Sequence, residues 1–195
     1  MIVAGLTGSI AMGKSETAKM FASRGIPVFD SDAAVHQLYV KGGRAVAAIA
    51  AIAPDAVIDG AVDRDRLSKA ISAHPDVLSA VEKAVHPLVR VMQEKFLAEA
   101  RSARHPVAIL DIPLLFETAR DREVDKIIVV STSPQIQRER ALRRSGMTPE
   151  KLDFILSRQL PDAEKRRRAD YVIDTSISIA DSQRQVDGVL ADLVR

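Results

Sequence analysis

The feature that most restricts how this chain can fold lies close to its N-terminus. Residues 8–15 read Gly-Ser-Ile-Ala-Met-Gly-Lys-Ser and match the pattern G-x-x-x-x-G-K-[ST]. The apolar run Ile2–Leu6, ended by Thr7-Gly8, predicts a buried parallel strand before the pattern, and a helix is predicted from Lys14 to about Arg24. This order of strand, loop and helix is the context that a phosphate-binding P-loop requires. It therefore predicts an α/β fold built around that strand.

The residue types in this loop suit the binding of nucleotide phosphates. Gly8 and Gly13 let the backbone curl into a concave nest of N–H donors, and the following helix N-terminus adds positive potential. Lys14 is placed to bridge the outer phosphates, and the Ser15 hydroxyl is placed to ligate Mg²⁺. A glycine turn before an ordinary helical lysine is the alternative interpretation, and the flanking strand and helix argue against it.

The alternation of strand, loop and helix continues along the chain. Gly25 lies just beyond the first predicted helix, where a left-handed cap costs little. Further strands are predicted at Val28-Phe29, Val107–Ile112, Lys126–Val130 and Tyr171–Ile173. Because helical patterns lie between the strands, we expect a parallel sheet that is covered on both faces.

Two stretches interrupt this alternation, and both are predicted to be helical. Residues 60–104 carry apolar residues at helical spacing with a break near His74-Pro75, which predicts a helical insertion. Residues 138–168 predict a basic helix followed by a second helix, for which Thr148 suits the N-cap and Pro149 the first helical position.

Composition places the chain among ordinary globular proteins. Its 195 residues, 47% of them hydrophobic, predict one compact domain, with room for an inserted subdomain. The absence of Cys excludes disulfides and cysteine catalysis and is typical of a reducing cytosol, so a cytoplasmic location is expected. The longest apolar run, Ala45–Pro54, is about half the length of a bilayer span. No basic leader precedes the phosphate-binding pattern, so we expect no targeting peptide and a mature chain that begins at Met1.

Positive charge is concentrated in one part of the chain. The formal net charge is +2, but residues 138–168 alone carry ten basic and five acidic side chains. Few aromatic residues accompany them, so the stretch predicts a local anion site and no nucleic-acid partner. Arg140 and Arg144, at i and i+4, are expected to project from one helix face, with a solvated basic face as the alternative. Arg166–Arg168 is interpreted as a solvated run or as helix C-terminal charge.

A P-loop leaves open whether the chain is a kinase, an ATPase or a GTPase. The sequence contains neither an N-K-x-D loop nor a D-x-x-G segment, and it has no Asn at all, which disfavours a GTPase. A kinase also needs an acceptor-binding carboxylate near the P-loop and arginines that close over the transferring phosphoryl group. Residues of both kinds are present.

Asp30 and Asp32 are the candidate acceptor-binding carboxylates. They follow the second predicted strand, whose C-terminal end should lie at the same sheet edge as the P-loop. One of them could hold the acceptor hydroxyl or accept its proton. Capping of the next helix by Asp30, Ser31 or Asp32 is the competing interpretation, and one aspartate could do both.

Asp111 follows the apolar run Val107–Leu110 and lies at the end of the third predicted strand. That position suits a carboxylate that holds Mg²⁺ through water, with a simple strand-end turn as the alternative. The histidines His36, His74 and His105 have no metal-ligand spacing and are expected to be surface or turn residues.

Taken together, these residues resemble the dephospho-CoA kinase family over nearly the whole chain. The P-loop is generic, whereas a His-Pro pair in the helical insertion followed by P-L-L-F-E is far more specific. The motifs that carry the resemblance are G-L-T-G-S-I-A-M-G-K-S (5–15), F-D-S-D (29–32), D-G-A-V-D-R-D-R-L (59–67), H-P (86–87), D-I-P-L-L-F-E (111–117), the pair Arg140 and Arg144, Gln159, and A-D-Y-V-I-D (169–174).

The resemblance implies a P-loop kinase fold in three parts. A core with a five-stranded parallel sheet would comprise residues 1–59, 105–137 and 169–195. A helical, substrate-binding insertion would comprise residues 60–104, and a helical lid residues 138–168. The implied reaction is ATP-dependent phosphorylation of the 3′-hydroxyl of the ribose of dephospho-CoA, with Mg²⁺ as cofactor and with neither a membrane nor an obligate protein partner.

The resemblance also assigns roles to individual residues. It implies Asp32, Lys14 and Arg140 as catalytic residues. The implied ATP-binding residues are Gly8, Ala11, Met12, Gly13, Lys14, Ser15, Glu16 and Arg144. The implied acceptor-binding residues are Asp30, Asp32, Arg64, Leu67, His86, Pro87 and Leu115. Ser15 and, through water, Asp111 would hold the metal.

The chain departs from the family pattern in its phosphate loop and after its last predicted strand. Ser9 and Ala11 replace glycines that are usual there, so we expect a functional loop with a more restricted backbone. Glu16 replaces the usual Thr. Thr175 stands where Asn is usual. The threonine side chain offers a hydroxyl but lacks the amide of asparagine.

Two alternative functions remain open from the sequence alone. One is another small-molecule or nucleoside monophosphate kinase of the P-loop fold, because fold does not determine the acceptor. The other is a nucleotide-binding switch without phosphoryl transfer.

Overall fold

The computed structural model describes all 195 residues except the side chain of Pro75. The chain forms two compact units, one of Met1–Phe29 with Ala100–Arg195 and the other of Asp30–Glu99. In chain order the main elements are β1 (Ile2–Thr7), α1 (Lys14–Ala22), β2 (Val28–Asp30), α2 (Ser31–Tyr39), α3 (Val46–Ile52), β3 (Val57–Ile58), β4 (Ala61–Val62), α4 (Arg64–Ala73), α5 (Pro75–Ser102), β5 (Val107–Asp111), β6 (Lys126–Ser131), α6 (Pro134–Leu142), α7 (Pro149–Ser157), α8 (Asp162–Arg167), β7 (Tyr171–Asp174) and α9 (Ile179–Leu193).

The predicted five-stranded parallel sheet is confirmed. Its strand order is β2-β5-β1-β6-β7, so the strand that precedes the P-loop lies at the centre. The register pairs Leu6 of β1 with Asp111 of β5 and with Ile128 of β6. The ends of β1 and β5 are therefore neighbours, and the residues that follow them lie at one edge of the sheet.

One face of the sheet is covered by α1 and α9. Ala4 and Leu6 of β1 pack there with Phe21 of α1 and Val186 of α9, and none of the four is exposed to solvent. Full burial of a side chain such as Leu or Phe contributes about 1.5–3 kcal/mol. On the other face a side chain at Gly5 would come within 3.1 Å of Leu115, so the chain covers that face closely as well.

The second compact unit consists mainly of helices, as expected for much of residues 60–104. Helices α4 and α5 are separated at His74, which is the C-cap residue of α4. The unit also contains the antiparallel pair β3 and β4, which the sequence analysis did not predict. Asp59 and Gly60 connect them with φ angles of 51° and 78°. Asp-Gly is a strong hairpin turn sequence, so this hairpin could have been predicted.

Several helix ends follow the sequence closely. Gly25 has a φ of 75°, which confirms the predicted left-handed conformation beyond α1. Thr148 is the N-cap of α7 and accepts a hydrogen bond from the amide of Lys151, with Pro149 in the first turn. Among the residues described here, no helix combines the length and apolarity that a bilayer span needs.

Candidate active site

The phosphate loop leaves the N-terminus of α1 open to an anion. Gly13 is the N-cap of α1, and no side chain caps the helix there. The first amides of a helix have no intrahelical partner, so those after Gly13 can donate to phosphate oxygens. Ala11 has a φ of 62°, in the left-handed region that favours glycine. The restricted backbone expected at Ala11 is thus visible as local strain.

Gly13 is required both by its backbone and by its surroundings. Its φ is 96°, and a β-carbon built there would lie 3.2 Å from both Cγ2 and Oγ1 of Thr175. We expect Gly13→Ala to lower the free energy of unfolding by about 2 kcal/mol and to weaken ATP binding, because backbone strain and a close contact add.

Gly25→Ala provides the matched control for that substitution. Gly25 also has a positive φ, of 75°, but no atom lies within 4 Å of a β-carbon placed there. Only the backbone strain of about 1 kcal/mol should appear, with ATP affinity unchanged. Urea unfolding and ATP titration of both variants measure the difference, and equal destabilisation would contradict the role given to the Thr175 contact.

Lys14 and Asp111 form an ion pair at the sheet edge. The Lys14 Nζ contacts Asp111 Oδ1, and the Asp111 side chain is only 4% exposed. Asp111 lies at the end of β5, where a metal-holding carboxylate was predicted, and the structure brings it to the phosphate loop. The Ser15 side chain, in the first turn of α1, is exposed.

The donor atoms near the phosphate loop fit Mg²⁺. This ion takes oxygen ligands, and in phosphoryl-transfer sites it is bound by one or two protein groups together with phosphates and water. A serine hydroxyl and a carboxylate match that donor set. Among the described residues, no group of three or more His, Cys, Asp or Glu could hold a metal alone.

Helix α6, helix α7 and the residues after α7 contact the phosphate loop at Ile10 and Ala11. The amide of Ile10 donates to Gln159 Oε1 at 3.0 Å, and the Ile10 carbonyl accepts from Gln137 Nε2 at 2.9 Å. The Ala11 methyl is buried against Ala141 and Leu152. Part of the predicted lid region is therefore bonded directly to the loop.

Arg140 and Arg144 both line a cavity beside the phosphate loop. The sequence analysis placed them on one helix face, but α6 ends at Leu142, so Arg144 lies beyond the helix. The amide of Arg144 bonds the carbonyl of Ala141, which tightens the last turn into a three-residue spacing. The helical argument was wrong for Arg144, although the two side chains still reach one cavity.

This cavity has a volume of about 410 Å³, within the usual range for small-molecule sites. Two large apolar side chains on its wall, Ile177 and Ile179, are 75% and 70% exposed. Its lining residues are Ala11, Gly13, Glu16, Thr17, Met20, Arg140, Arg144, Thr175, Ile177, Ser178, Ile179 and Ser182.

The sequence analysis did not identify the part of this wall that follows β7. Ile177 lies in the short polar segment Thr175–Ser178, Ile179 is the first residue of α9, and neither belongs to a motif. The alternation of Ser with Ile over residues 176–179 was the indication available in the sequence. Only the folded chain shows that they face the phosphate loop.

The motif residue Glu117 makes an ion pair away from the cavity. Its Oε1 lies 2.8 Å from the Nζ of Lys165, whose side chain is fully buried. The same oxygen accepts the amide of Leu160 at 2.8 Å. Leu160 follows Gln159, so Glu117 holds the segment whose glutamine bonds the phosphate loop.

Two of the three arginines at the end of α8, Arg167 and Arg168, form ion pairs within the chain. Arg167 pairs with Glu164 at 2.6 Å, and Arg168 pairs with Asp121 at 2.7 Å while lying over the Phe116 ring. Lys165, Arg166 and Arg167 form the last turn of α8. The interpretation as helix C-terminal charge is confirmed.

The predicted acceptor-side aspartates occupy distinct helix positions. Asp30 is the N-cap of α2, and its carboxylate accepts the amide of Ala33 at 3.0 Å. The capping interpretation is therefore confirmed for Asp30. Asp32 lies in the first turn of α2 and is exposed.

The other predicted acceptor-side residues differ in exposure. Arg64, at the start of α4, and both His86 and Pro87, inside α5, are exposed. Leu67 and Leu115 are buried and present almost no surface, and Leu115 packs near Gly5 in the sheet unit. Their binding roles stay predictions.

Tyr39, the last residue of α2, is buried and lies near enough to Arg64 for its charge to act on the phenol. Burial raises the pKa of the Tyr39 phenol above its ordinary value, and the positive charge of Arg64 opposes that rise. The phenol therefore stays neutral at physiological pH.

The chain is similar to known proteins along most of its length. The family profile described as dephospho-CoA kinase matches residues 1–181. The dephospho-CoA kinase of Rhodopseudomonas palustris is 52% identical over 190 residues, which cover 97% of this chain and 94% of that protein. The dephospho-CoA kinase of Agrobacterium fabrum is 52% identical over 193 residues, covering 99% of this chain and 98% of that protein.

Solved structures extend the comparison to the fold. A crystal structure from Thermus thermophilus matches with a TM-score of 0.85 at 32% identity, covering 98% of this chain and 97% of that chain. A shikimate kinase from Bacteroides thetaiotaomicron, with a TM-score of 0.54 and 15% identity over 98% of each chain, shares the fold alone. Because the profile matches 181 of its residues and the Rhodopseudomonas and Agrobacterium relatives are 52% identical over 94% or more of their length, the chain belongs to the dephospho-CoA kinase family.

Proposed function

We propose that this protein transfers the γ-phosphoryl group of ATP to the 3′-hydroxyl of the ribose of dephospho-CoA, giving coenzyme A and ADP. The observation that carries the proposal is the family match over residues 1–181. In this reaction the acceptor oxygen forms a bond to the γ-phosphorus, and the bond from that phosphorus to the oxygen bridging to the β-phosphate breaks. The hydroxyl proton leaves to a base.

The nucleotide would bind to the compact unit that contains the parallel sheet, Met1–Phe29 with Ala100–Arg195. Phosphates would lie on the amides at the start of α1, with Lys14 moving from Asp111 to the β- and γ-phosphates. The cavity lined by Ile177 and Ile179 is next to the loop and would take the adenine base, because an aromatic ring gains from covering exposed aliphatic side chains.

Removing apolar surface from this wall is expected to weaken ATP binding. We expect Ile177→Ala to raise the KM for ATP by about fivefold and to leave kcat within about twofold, because the lost contact is equal in the ground and transition states. Val194→Ala is the matched control. Val194 is an apolar residue near the C-terminus that is 54% exposed and does not line the cavity. An unchanged KM for ATP in Ile177→Ala would place the base elsewhere.

Mg²⁺ would be held by Ser15 and, through water, by Asp111. When bound, it would neutralise charge on the β- and γ-phosphates. The chain's own contribution is to present one hydroxyl and one carboxylate beside Lys14.

On the acceptor side we assign the chemistry to Asp32, which would orient the 3′-hydroxyl and accept its proton. Residues 60–104 would bind the remainder of dephospho-CoA, with Arg64 and His86 as the exposed polar contacts. Residues 138–168 would close over the site with Arg140 and Arg144. Exclusion of water matters, because an open site would lose ATP to hydrolysis.

We further propose a cytoplasmic location. The absence of Cys supports it, since a chain without thiols or disulfides gains nothing from an oxidising compartment. It also leaves the protein without a thiol that could form a mixed disulfide with its product, coenzyme A.

Measurement of ADP release with several acceptors tests the proposal. Dephospho-CoA should stimulate ADP formation far more than AMP, CMP or gluconate at equal concentration. No stimulation by dephospho-CoA would overturn the proposed acceptor. Slow ADP formation that no acceptor changes would instead indicate a nucleotide-binding switch.

A further inference from the structure

We propose that Thr175 is a positioning residue that holds Arg140 against the phosphate loop and so fixes this lid arginine relative to the nucleotide phosphates. The inference rests on the proposed function, in which Arg140 acts on the transferring phosphoryl group. It adds a residue to which the sequence assigned no role.

The main chain of Thr175 is itself fixed. Thr175 follows β7 directly, and its amide donates to the carbonyl of Ser131 at 2.9 Å, which continues the pairing of β6 with β7. Its side chain lies so close to Gly13 that a β-carbon there would come within 3.2 Å. Thr175 therefore has a defined place beside the N-terminus of α1.

The direction of its hydroxyl hydrogen bonds follows from the distances. A hydroxyl has one hydrogen, and Oγ1 lies 2.8 Å from the Met12 carbonyl oxygen but 3.3 Å from that of Ser131. The hydrogen accordingly points to Met12, within the phosphate loop. The lone pairs of the same oxygen remain to accept a bond.

Arg140 uses both oxygens of Thr175. Its Nη1 donates to Oγ1 at 2.9 Å, and its Nη2 donates to the main-chain carbonyl at 2.8 Å. Two bonds from one planar guanidinium fix its orientation as well as its position. A chain of hydrogen bonds therefore runs from the Met12 carbonyl through the hydroxyl to Arg140.

This arrangement leaves Arg140 able to bind an anion. A guanidinium has five N–H donors, and the bonds to Thr175 use two of them. Arg140 lines the cavity together with Gly13 and Thr175, next to the open start of α1. Donors that are already oriented need little rearrangement to stabilise the charge that develops on the transferring group. Because that charge develops in the transition state, their effect falls mainly on kcat.

Removal of the hydroxyl tests this role. Thr175→Val keeps the shape of the side chain, whereas Thr175→Ser keeps the hydroxyl. We expect Thr175→Val to lower kcat by about tenfold with the KM for dephospho-CoA within about twofold, because the loosened arginine is misplaced in the transition state. Thr175→Ser should stay within about threefold of the wild-type kcat.

A double-mutant cycle shows whether Thr175 acts through Arg140. In an Arg140→Ala background, Thr175→Val should cost less than about twofold in kcat, since its target is gone. An equal cost in both backgrounds, a wild-type kcat in Thr175→Val, or an equal loss in Thr175→Ser would each overturn the inference. If thermal unfolding shows that Thr175→Val does not fold, Thr175→Ala takes its place in the cycle. Failure of the proposed function would be seen separately, as absent turnover of dephospho-CoA by the wild-type protein.

Discussion

Lys14→Met is expected to reduce kcat/KM for phosphoryl transfer by about 1,000-fold, because the variant loses the ammonium group that is assigned to the β- and γ-phosphates. In the structure the Lys14 ammonium pairs with the buried carboxylate of Asp111. It is thus held at the sheet edge where the loop begins. Steady-state kinetics with ATP and dephospho-CoA measures the loss.

Lys126→Met is the matched control. Lys126 also pairs with an aspartate, Asp170, at 3.0 Å, but it begins β6, at the sheet edge opposite the phosphate loop. An exposed ion pair of this kind contributes about 0–1 kcal/mol, so activity should be retained. Thermal unfolding of both variants separates lost chemistry from lost structure. A Lys14→Met protein that is folded and retains a tenth or more of the wild-type activity would contradict the role of Lys14.

The second large effect is expected from Asp32→Ala. A positioned base contributes about 100- to 10,000-fold, so we expect kcat to fall by about 1,000-fold while the dissociation constant of ATP changes by less than about twofold. The reason is that Asp32 is assigned to the acceptor hydroxyl and makes no predicted contact with ATP. Single-turnover kinetics and ATP titration measure the two quantities.

Asp65→Ala controls for the helix that Asp32 occupies. Asp65 stands two residues after the N-cap Asp63 of α4, as Asp32 stands two residues after the N-cap Asp30 of α2, and both are exposed. Each substitution removes the same favourable charge from a helix N-terminus, worth about 0.3–1 kcal/mol. Only Asp32→Ala should lower kcat by the large factor of about 1,000-fold. Wild-type turnover in Asp32→Ala would remove it from the mechanism.

Much of the fold follows from local sequence patterns. The five predicted strands agree with the structure to within two residues at each end, because each is a short apolar run bounded by turn residues. The phosphate loop was equally clear, since its glycines, lysine and serine have fixed spacing. The spacing of apolar residues and the residue types preferred in turns determine local structure over a few residues, so both can be read directly from the sequence.

Other features depended on contacts between distant residues. From the sequence, Thr175 was identified only as a residue that differs from the family's usual Asn and lacks its amide. In the folded chain its hydroxyl both donates to Met12 and accepts from Arg140, which lie 163 and 35 residues away in sequence. No local pattern could predict this contact.

The sequence by itself determined the α/β fold, the P-loop and the family, because these depend on residue type and spacing along the chain. Only the tertiary structure decided that Lys14 pairs with Asp111, that Gln137 and Gln159 bind the loop, and that Ile177 and Ile179 face a cavity. Side-chain hydrogen bonds and cavities form where parallel strands end together at one sheet edge. That edge collects residues from remote parts of the chain, so its chemistry exists only once the sheet has formed.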